Sequence, residues 1–293
     1  MKAGYVALVG RPNAGKSTLL NHLIGQKISI TSRRPQTTRH RIHGIKTGER
    51  GQAIYVDTPG IHGSEKRAIN RYLNRTASGA LLGVDVVVWV VDQWIWHPEN
   101  DLVLEKLQAA RRPVILAVNK VDQCEDKSRL LPFLEDAAKR YDFAEIIPVS
   151  ALRGINLELL EEKIMDLLPE GNPIYPEDQI TDRPERFFAA EIIREKLIRS
   201  LGQEVPHAIT VQIGQYKEQK GIIHIHAVIW VEREGQKIIV IGKQGEVMKK
   251  VGQRAREDLE KMLEKKVYLN LWVKVKKGWS DNERALQSLG YSE

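Results

Sequence analysis

Short apolar runs alternate with polar, helix-compatible stretches through residues 1–169 of the chain. Five runs read as buried strands, and they are Tyr5–Val9, Ala53–Val56, Val84–Val91, Val114–Val118 and Ile146–Val149. Continuous apolar runs of this length are typical of parallel strands that are covered on both faces by helices. The pattern therefore predicts an α/β domain with a doubly wound, mostly parallel sheet, whose ligands bind at the carboxyl ends of the strands.

The pattern changes beyond a proline-rich segment, Pro169–Gln179, which contains three prolines and one glycine. Proline fixes φ and removes an amide donor, so neither a helix nor a central strand continues through this segment. A helical stripe over residues 190–201 follows, and then Ile223–Val231 and Val267–Val275 alternate apolar with polar positions, as do residues 209–213. Alternation indicates a sheet with one buried face.

These patterns predict the division of the chain. We expect one domain over residues 1–169, a linker over 170–181, and a small α+β domain over 182–293. Within the second domain, Glu246–Leu263 reads as a helix that precedes the last strand.

Composition narrows the class of protein. Hydrophobic residues make up 42% of the chain and charged residues 28%, which is normal for a globular protein, while the net charge is +7. From Thr181 onward 21 Lys+Arg stand against 16 Asp+Glu, a net +5, so the basic excess is concentrated in the second domain and hints at a polyanionic partner.

The single cysteine, Cys124, excludes an intramolecular disulfide and favours a reducing compartment. No apolar run reaches the roughly 18 residues that a membrane span needs. We expect a cytoplasmic monomer, and peripheral contact with the cytoplasmic face of the inner membrane stays open as an alternative.

The first candidate site is a phosphate-binding loop. The segment Gly10–Ser17 fits G-x-x-x-x-G-K-[ST] and stands between the first strand and a helical stretch, where backbone amides can surround phosphate oxygens. Lys16 supplies charge to the β- and γ-phosphates, and the Ser17 hydroxyl is a Mg²⁺ ligand. The predicted nucleotide contacts from this loop are Gly10, Arg11, Pro12, Asn13, Ala14, Gly15, Lys16, Ser17 and Thr18.

A D-x-x-G motif follows the second predicted strand. Its residues are Asp57, Thr58, Pro59 and Gly60. A carboxylate at Asp57 can hold Mg²⁺, and the Gly60 amide can meet the γ-phosphate, so this loop can sense which nucleotide is bound. A threonine between the two motifs would complete the Mg²⁺ shell, and we favour Thr38 over Thr37.

Two further loops predict selection of guanine. They contain Asn119, Lys120, Val121 and Asp122 after the fourth predicted strand, and Ser150 with Ala151 after the fifth. The Asp122 carboxylate can accept hydrogen bonds from guanine N1 and N2, which adenine does not offer, and the Ala151 amide suits guanine O6. We expect GTP and GDP as ligands.

The second candidate site is G-x-x-G at a helix start. Its residues are Gly242, Lys243, Gln244 and Gly245. Within a small α+β unit of the order helix, two strands, G-x-x-G helix, strand, this motif is typical of a KH domain, which binds single-stranded nucleic acid. Basic residues on the following helix could contact phosphates, and they are Lys249, Lys250, Arg254 and Arg256.

Taken together, these motifs resemble those of the translation-factor-like GTPases, specifically the Era family. The resemblance covers essentially the whole chain. It includes Gly10–Ser17 with its Arg-Pro-Asn insert, Lys27–Ser32, Gln36–Arg41, Asp57–Gly60, Asn119–Asp122, Glu191–Lys196, Val231–Lys237 and Trp272–Val275.

The resemblance implies a GTPase domain followed by a type II KH domain that binds the 3′ end of 16S rRNA and assists maturation of the 30S subunit.

The resemblance also indicates which residues take part in catalysis. Ras-like enzymes carry a water-orienting glutamine after D-x-x-G, whereas Ile61 stands here and cannot take that role. The catalytic candidates are Lys16, Thr38, Gly60 and Asn13. Related GTPases use an asparagine at the position of Asn13 to bind K⁺, which makes K⁺ a candidate cofactor beside Mg²⁺.

Two other interpretations compete with this one. A ribosome factor with two GTPase domains would carry a second phosphate-binding loop, and the sequence has none. An RNA-binding scaffold that binds nucleotide with little hydrolysis stays open as an alternative, because the sequence shows no side chain that would position water.

Trp94 and Trp96 read either as an exposed patch or, as we favour, as packing on a neighbouring helix. We expect no metal at His224 and His226.

Overall fold

The computed structural model describes residues 1–61, 67–92, 94, 96–124, 126, 128, 130–201 and 208–291. The chain divides into two compact units. The first contains Met1–Glu65 and Leu73–Asp182, and the second contains Lys66–Tyr72 and Arg183–Glu293. The sequence-based limits of the two domains and their linker stay a prediction.

The first unit is built on a six-stranded sheet of order β2-β3-β1-β4-β5-β6. Its strands are β1 (Lys2–Val9), β2 (Ile42–Gly48), β3 (Gly51–Asp57), β4 (Val86–Val91), β5 (Val114–Val118) and β6 (Glu145–Pro148). All neighbouring pairs are parallel except β2 with β3, which is antiparallel. The predicted doubly wound, mostly parallel sheet is confirmed.

Helices follow the strands in alternation. They are α1 (Lys16–Ile24), α2 (Ala68–Gly79, of which the part from Leu73 belongs to this unit), α3 (Pro98–Ala110), α4 (Leu130–Arg140) and α5 (Leu157–Leu167). Apolar residues of α2, α3 and α4 pack on one face of the sheet with Trp89 and Val91, and α1 contacts β1, β2 and β3. Since both faces are covered, β4 and β5 are buried along their whole lengths, as continuous apolar runs require.

The edge strand β2 was not predicted from the sequence. Its burial alternates only weakly, and it carries Gly44 and Gly48, which are poor strand formers. Hydrogen bonding to β3 holds it in place over the full register from Ile42↔Asp57 to Gly48↔Gly51. The structure therefore adds an antiparallel strand directly after the segment that contains Thr38.

The proline-rich segment is part of the first unit and is hydrogen-bonded to its sheet. Gln52, which is fully buried on β3, accepts hydrogen bonds from the amides of Ile174 and Tyr175 at 2.7 and 2.9 Å and donates to the carbonyl of Tyr175 at 2.8 Å. Further along, the Ile45 amide donates to the carbonyl of Ile180 at 2.9 Å. Proline leaves the segment without regular structure, yet the edge of the sheet satisfies its backbone groups.

The second unit packs helices on one face of a three-stranded sheet of order β7-β8-β9. Its strands are β7 (Thr210–Gln219), β8 (Ile222–Val231) and β9 (Lys266–Val275), and its helices are α6 (Glu185–Ser200), α7 (Glu234–Ile241), α8 (Glu246–Leu263) and α9 (Glu283–Ser288). β7 pairs antiparallel and β9 parallel with β8. The order α6-β7-β8-α7-α8-β9 confirms the predicted KH arrangement.

Two helices of this unit were missed. The segment that forms α7 contains Ile-Ile-Val-Ile, a run that favours a strand. Its helical start is fixed instead by Gln236, whose side chain accepts hydrogen bonds from the amides of Glu232 and Arg233. α9 is only six residues long, with Asn282 capping it through the Ala285 amide at 2.9 Å.

The tryptophans near the end of β4 pack in the first unit. Trp94 and Trp96 pack against the apolar cluster of α2, α3 and α4. The ring of Trp96 lies edge-on to buried Trp89 at 5.5 Å, and the guanidinium of Arg140 on α4 lies 4.4 Å from its centroid. Both rings therefore pack on neighbouring elements, as the sequence analysis favoured.

Among the described residues, no helix is both long and apolar enough to cross a membrane.

Candidate functional site

The loop between β1 and α1 needs glycine at two positions for steric reasons. Gly10 has φ 145° and Gly15 has φ 105°, values that residues with a side chain rarely adopt. A Cβ on Gly10 would lie 2.2 Å from the carbonyl oxygen of Val90, and one on Gly15 would lie 2.1 Å from Nδ2 of Asn119. The loop is thus packed against β4 and against the first residue of the predicted guanine-binding loop.

Lys16 begins α1 and is buried within this loop. Its Nζ donates to the carbonyls of Gly10 and Arg11 at 3.0 and 2.9 Å. Burial lowers the pKa of Lys16 to about 8, although the nearby carboxylates of Asp57 and Asp92 act in the opposite direction. Removal from water destabilises the ammonium, and a phosphate group at this position would add negative charge that stabilises it.

The three predicted Mg²⁺ ligands lie together. The Ser17 hydroxyl is 2.8 Å from Oγ1 of Thr38 and donates to Oδ2 of Asp57 at 2.8 Å. Ser29 donates to the same Asp57 oxygen at 2.7 Å, while Asp57 Oδ1 is buried and makes no hydrogen bond to the described residues. Two hydroxyls beside a buried carboxylate with an orphaned oxygen form an oxygen donor set that fits Mg²⁺.

Burial raises the pKa of Asp57, and hydrogen bonds from Ser29 and Ser17 together with the charge of Lys16 oppose that shift. Thr37 lies apart from this group, because its hydroxyl donates to the Arg34 carbonyl at 2.6 Å. The structure thus brings Thr38, and not Thr37, to Ser17. The assignment of Thr38 as a metal ligand stays a prediction.

The D-x-x-G loop is held against the phosphate-binding loop. A Cβ on Gly60 would lie 2.5 Å from the nitrogen of Pro12. The hydroxyl of Thr58 is buried and donates to the Leu8 carbonyl at 2.9 Å. The Ile61 amide donates to the Gly10 carbonyl at 3.3 Å, and the Ile61 side chain is buried in the apolar cluster, so it presents no polar group to a water molecule.

The predicted guanine-binding loops join each other and the phosphate loop. Asn119 donates from Nδ2 to the Ala14 carbonyl at 2.8 Å and accepts at Oδ1 from the Ala151 amide at 2.9 Å. The carboxylate of Asp122 is exposed and accepts a hydrogen bond from Ser150 Oγ at 2.5 Å. Because Asn119 already engages the Ala151 amide, a guanine O6 would have to share that donor.

Sequence reasoning missed Asp92, which follows β4 and is 8% exposed. Lys120 donates from Nζ to Oδ2 of Asp92 at 2.5 Å and to the Asn13 carbonyl at 2.9 Å. Lys120 has φ 67°, an unusual conformation for a residue with a side chain. The signal in the sequence was a lone acid at the carboxyl end of a buried strand, where ligand sites of such sheets lie.

Asn13, the predicted K⁺ ligand, also has a positive φ of 65°. Its Nδ2 donates to the Arg33 carbonyl at 3.0 Å, which links the phosphate loop to the segment before Thr38. Arg11, two residues earlier, pairs with Glu99 of α3 at 2.6 Å. Both side chains therefore tie the loop to a neighbouring segment.

In the second unit, the G-x-x-G loop connects α7 and α8. Gly242 has φ 75°, and a Cβ there would lie 2.5 Å from Cγ2 of Val247. Gln244 and Gly245 also have positive φ, at 52° and 77°. The chain thereby turns sharply and starts α8 at Glu246, which leaves the first amides of that helix available to an anion.

The basic residues predicted to contact RNA are exposed on and after this loop, and they are Lys243, Lys249, Lys250, Arg254 and Arg256. Next to the loop, α7 exposes Ile238 by 70% and Ile239 by 51%, while Val240 is buried. Sequence reasoning missed this apolar pair. An exposed pair of isoleucines beside backbone amides and lysines suits a base whose phosphate is held by the loop.

The two sites define the class of protein: a P-loop GTPase joined to a KH domain. The profile of the family described as 50S ribosome-binding GTPase matches residues 5–120, and the KH domain profile matches residues 204–280. GTPase Era of Ectopseudomonas mendocina is 60% identical over 290 residues, which cover 99% of this chain and 97% of that protein. The chain belongs to the Era family of GTPases, and it is a GTPase.

Solved structures of Era agree over the full length. A single-residue variant of Aquifex aeolicus Era bound to GDP·AlF₄⁻ has a TM-score of 0.97 at 40% identity, with 100% of both chains covered. Era in complex with MgGDPNP and nucleotides 1506–1542 of 16S ribosomal RNA has the same TM-score, identity and coverage.

Proposed function

We propose that this GTPase binds 16S rRNA near its 3′ end through the KH domain and assists maturation of the 30S subunit. The G-x-x-G loop carries the proposal, because it places amides, Lys243 and the exposed Ile238 and Ile239 side by side. The related Era structure that contains nucleotides 1506–1542 of 16S rRNA supports this choice of RNA. A cytoplasmic location fits such a partner.

Mg²⁺ is the metal that we propose for the cluster of Ser17, Thr38 and Asp57. Bound there, it would neutralise phosphate charge during hydrolysis. Lys16 would hold the β- and γ-phosphates, and the Gly60 amide would meet the γ-phosphate. Thr38→Ala should spare GDP affinity and slow GTP hydrolysis, whereas Thr37→Ala, the neighbouring control, should change hydrolysis less. An equal loss of GDP and GTP affinity in Thr38→Ala would place this hydroxyl elsewhere.

K⁺ is the further cofactor that we propose, next to Asn13. Hydrolysis develops negative charge on the phosphates, and a cation beside them can stabilise that charge. Single-turnover hydrolysis should be faster in KCl than in NaCl at equal ionic strength, and Asn13→Ala should remove the difference. Equal rates in both salts would rule K⁺ out and favour slow, unassisted hydrolysis.

RNA binding can be tested in the full-length protein with Lys243→Asp combined with Gln244→Asp. Both glycines stay, so the turn is preserved while negative charge is placed where phosphates should lie. Affinity for a single-stranded oligonucleotide of the 16S 3′ end should fall tenfold or more in an anisotropy titration, because phosphate contacts dominate such binding.

The matched control is Lys139→Asp combined with Gln108→Asp. These two exposed residues lie in the first unit, and the change in charge is the same. We expect this control to bind RNA like the wild type and both variants to keep their GTP affinity. If the loop variant binds RNA as well as the control does, the G-x-x-G loop is only a helix-starting turn.

A further inference from the structure

The outer face of the KH sheet, opposite the helices, has an unusual composition. We define it by the side chains that alternate away from the core, which are Thr210, Gln212, Gln215, Lys217, Gln219, Ile222, His224, His226, Val228, Trp230, Lys266, Tyr268, Asn270, Trp272 and Lys274. All three strands lie within the described part of the chain. This outer face contains no acidic side chain, although the protein as a whole has 38 of them.

Two large aromatic rings on this face are exposed. Tyr268 and Trp272, both on β9, are 52% and 56% exposed. Tyr268 lies against His224 and His226, with ring centroids 5.3 and 6.2 Å apart, and Trp272 is paired in register with Val228. At about 3.3 Å per residue, the two β9 positions are about 13 Å apart, far enough for each ring to contact a different base.

The third aromatic residue of the outer face, Trp230, is contacted by other side chains of the chain itself. Trp230 donates from Nε1 to Gln212 at 3.0 Å, and Nζ of Lys276 lies 5.9 Å from its ring. Lys276 is in turn hydrogen-bonded to Ser288 of α9 at 2.8 Å. The C-terminal segment therefore covers the Trp230 end of the face and leaves Tyr268 and Trp272 open.

β9 also borders the proposed RNA groove. It is one of the two edge strands of the sheet, and both α7 and α8, which flank the G-x-x-G loop, contact it. Its inward-facing residues pack under these helices, while Tyr268 and Trp272 stand on its opposite face. A single-stranded RNA that extends past the G-x-x-G loop can thus reach the outer face by crossing β9 alone.

We propose that the outer face is a second binding surface for single-stranded RNA, on which unpaired bases stack on Tyr268 and Trp272. The inference rests on the RNA binding proposed above and extends it. Every base has a π-face, so aromatic rings on a sheet bind successive bases with little sequence preference. Lys217, Lys266 and Lys274 supply positive charge to the phosphates, and the absence of carboxylates removes repulsion.

The test compares two oligonucleotides on the full-length protein. One is about five nucleotides long, enough for the G-x-x-G loop, and the other extends it by about seven nucleotides. In the wild type the longer RNA should bind at least tenfold more tightly. Tyr268→Thr with Trp272→Thr keeps strand-compatible residues and should lose that gain, while affinity for the short RNA stays unchanged.

Three control variants test whether the aromatic rings themselves hold the RNA. Tyr268→Phe with Trp272→Phe keeps the rings and should retain most of the gain, whereas Leu at both positions keeps apolar surface without rings and should not. Leu82→Thr, at an exposed site in the first unit, should have no effect. If the threonine pair binds the longer RNA like the wild type, the outer face does not bind RNA. If the wild type binds neither RNA, the proposed function itself fails.

Discussion

At the scale of single residues, Asp122 is the group on which the choice of base depends. Its carboxylate is exposed and already accepts one hydrogen bond, from Ser150. Asp122→Asn replaces one acceptor oxygen with a donor that would face the N–H donors of the bound guanine. GTP and GDP should therefore bind more weakly by about 2 kcal/mol or more, since a donor left unpaired where the base excludes water costs about 1–3 kcal/mol. Xanthosine nucleotides, whose pattern is reversed at that edge, should gain affinity.

Calorimetric titration with GDP and XDP measures both changes. The control is Asp166→Asn, the same change at a carboxylate that pairs with Arg50 on the surface, and it should leave both affinities unaltered. Unchanged GDP affinity in Asp122→Asn would refute the assignment of this residue.

Asp92 acts on the nucleotide through Lys120. We expect Asp92→Ala to weaken GDP and GTP equally, by about 1–2 kcal/mol, because the Lys120 ammonium loses its carboxylate and is no longer held between Asp92 and the Asn13 carbonyl. The measurement is a double-mutant cycle with Lys120→Ala, in which the second change should add little once the first is made. Full additivity would show that Asp92 does not position Lys120.

At the scale of elements, Gly242 and Gly235 should respond oppositely to alanine. Gly242 has a positive φ and no room for a Cβ, which would lie 2.5 Å from Val247, so Gly242→Ala should destabilise the second unit by about 1–3 kcal/mol. Gly235 lies in α7 with open space around it. Gly235→Ala should stabilise by about 0.5–1 kcal/mol, as expected inside a helix.

Denaturant unfolding followed by circular dichroism measures both effects. If alanine at position 242 were tolerated as well as alanine at position 235, the turn before α8 would not need the left-handed conformation.

The sequence predicted well those strands in which burial alone decides which positions are apolar. β4 and β5 are buried on both faces and are therefore apolar throughout, and β8 is buried on one face and alternates. α7 was missed because two of its apolar residues, Ile238 and Ile239, are exposed instead of buried. The run of isoleucine and valine therefore did not show the period of a helix.

Candidate site residues that belong to contiguous motifs could be found from the sequence, since the residues of each motif lie together in one loop. Asp92 was missed because it stands outside any contiguous motif, and the sequence does not show that it meets Lys120. Ile238 and Ile239 were missed because they are exposed and therefore follow no burial pattern. Asp92 meets Lys120 across 28 residues. Periodicity and motif spacing contain no information about such pairs until the sheet order is known.

At the scale of the whole molecule, the two ligand sites use charge differently. Lys16 and Asp57 are buried, at 5% and 0% exposure, and salt screens buried groups little. The lysines near the G-x-x-G loop are exposed, namely Lys243, Lys249 and Lys250. The net charge of +5 that begins at Thr181 therefore acts mainly through water, and the ions of the solution compete with it.

Salt should accordingly separate the two binding activities of the intact protein. If about three phosphates are neutralised, the slope of log affinity against log salt for single-stranded RNA should be roughly −2, so raising KCl tenfold should weaken RNA binding about a hundredfold. Nucleotide affinity at constant Mg²⁺ should change far less. Lys249→Gln should reduce the RNA slope by about 0.7 if that lysine contacts a phosphate, while Lys139→Gln in the first unit should leave it unaltered. Parallel anisotropy titrations with labelled RNA and labelled GDP over the same salt series give both slopes, and an RNA affinity that does not depend on salt would mean that binding does not rest on these exposed lysines.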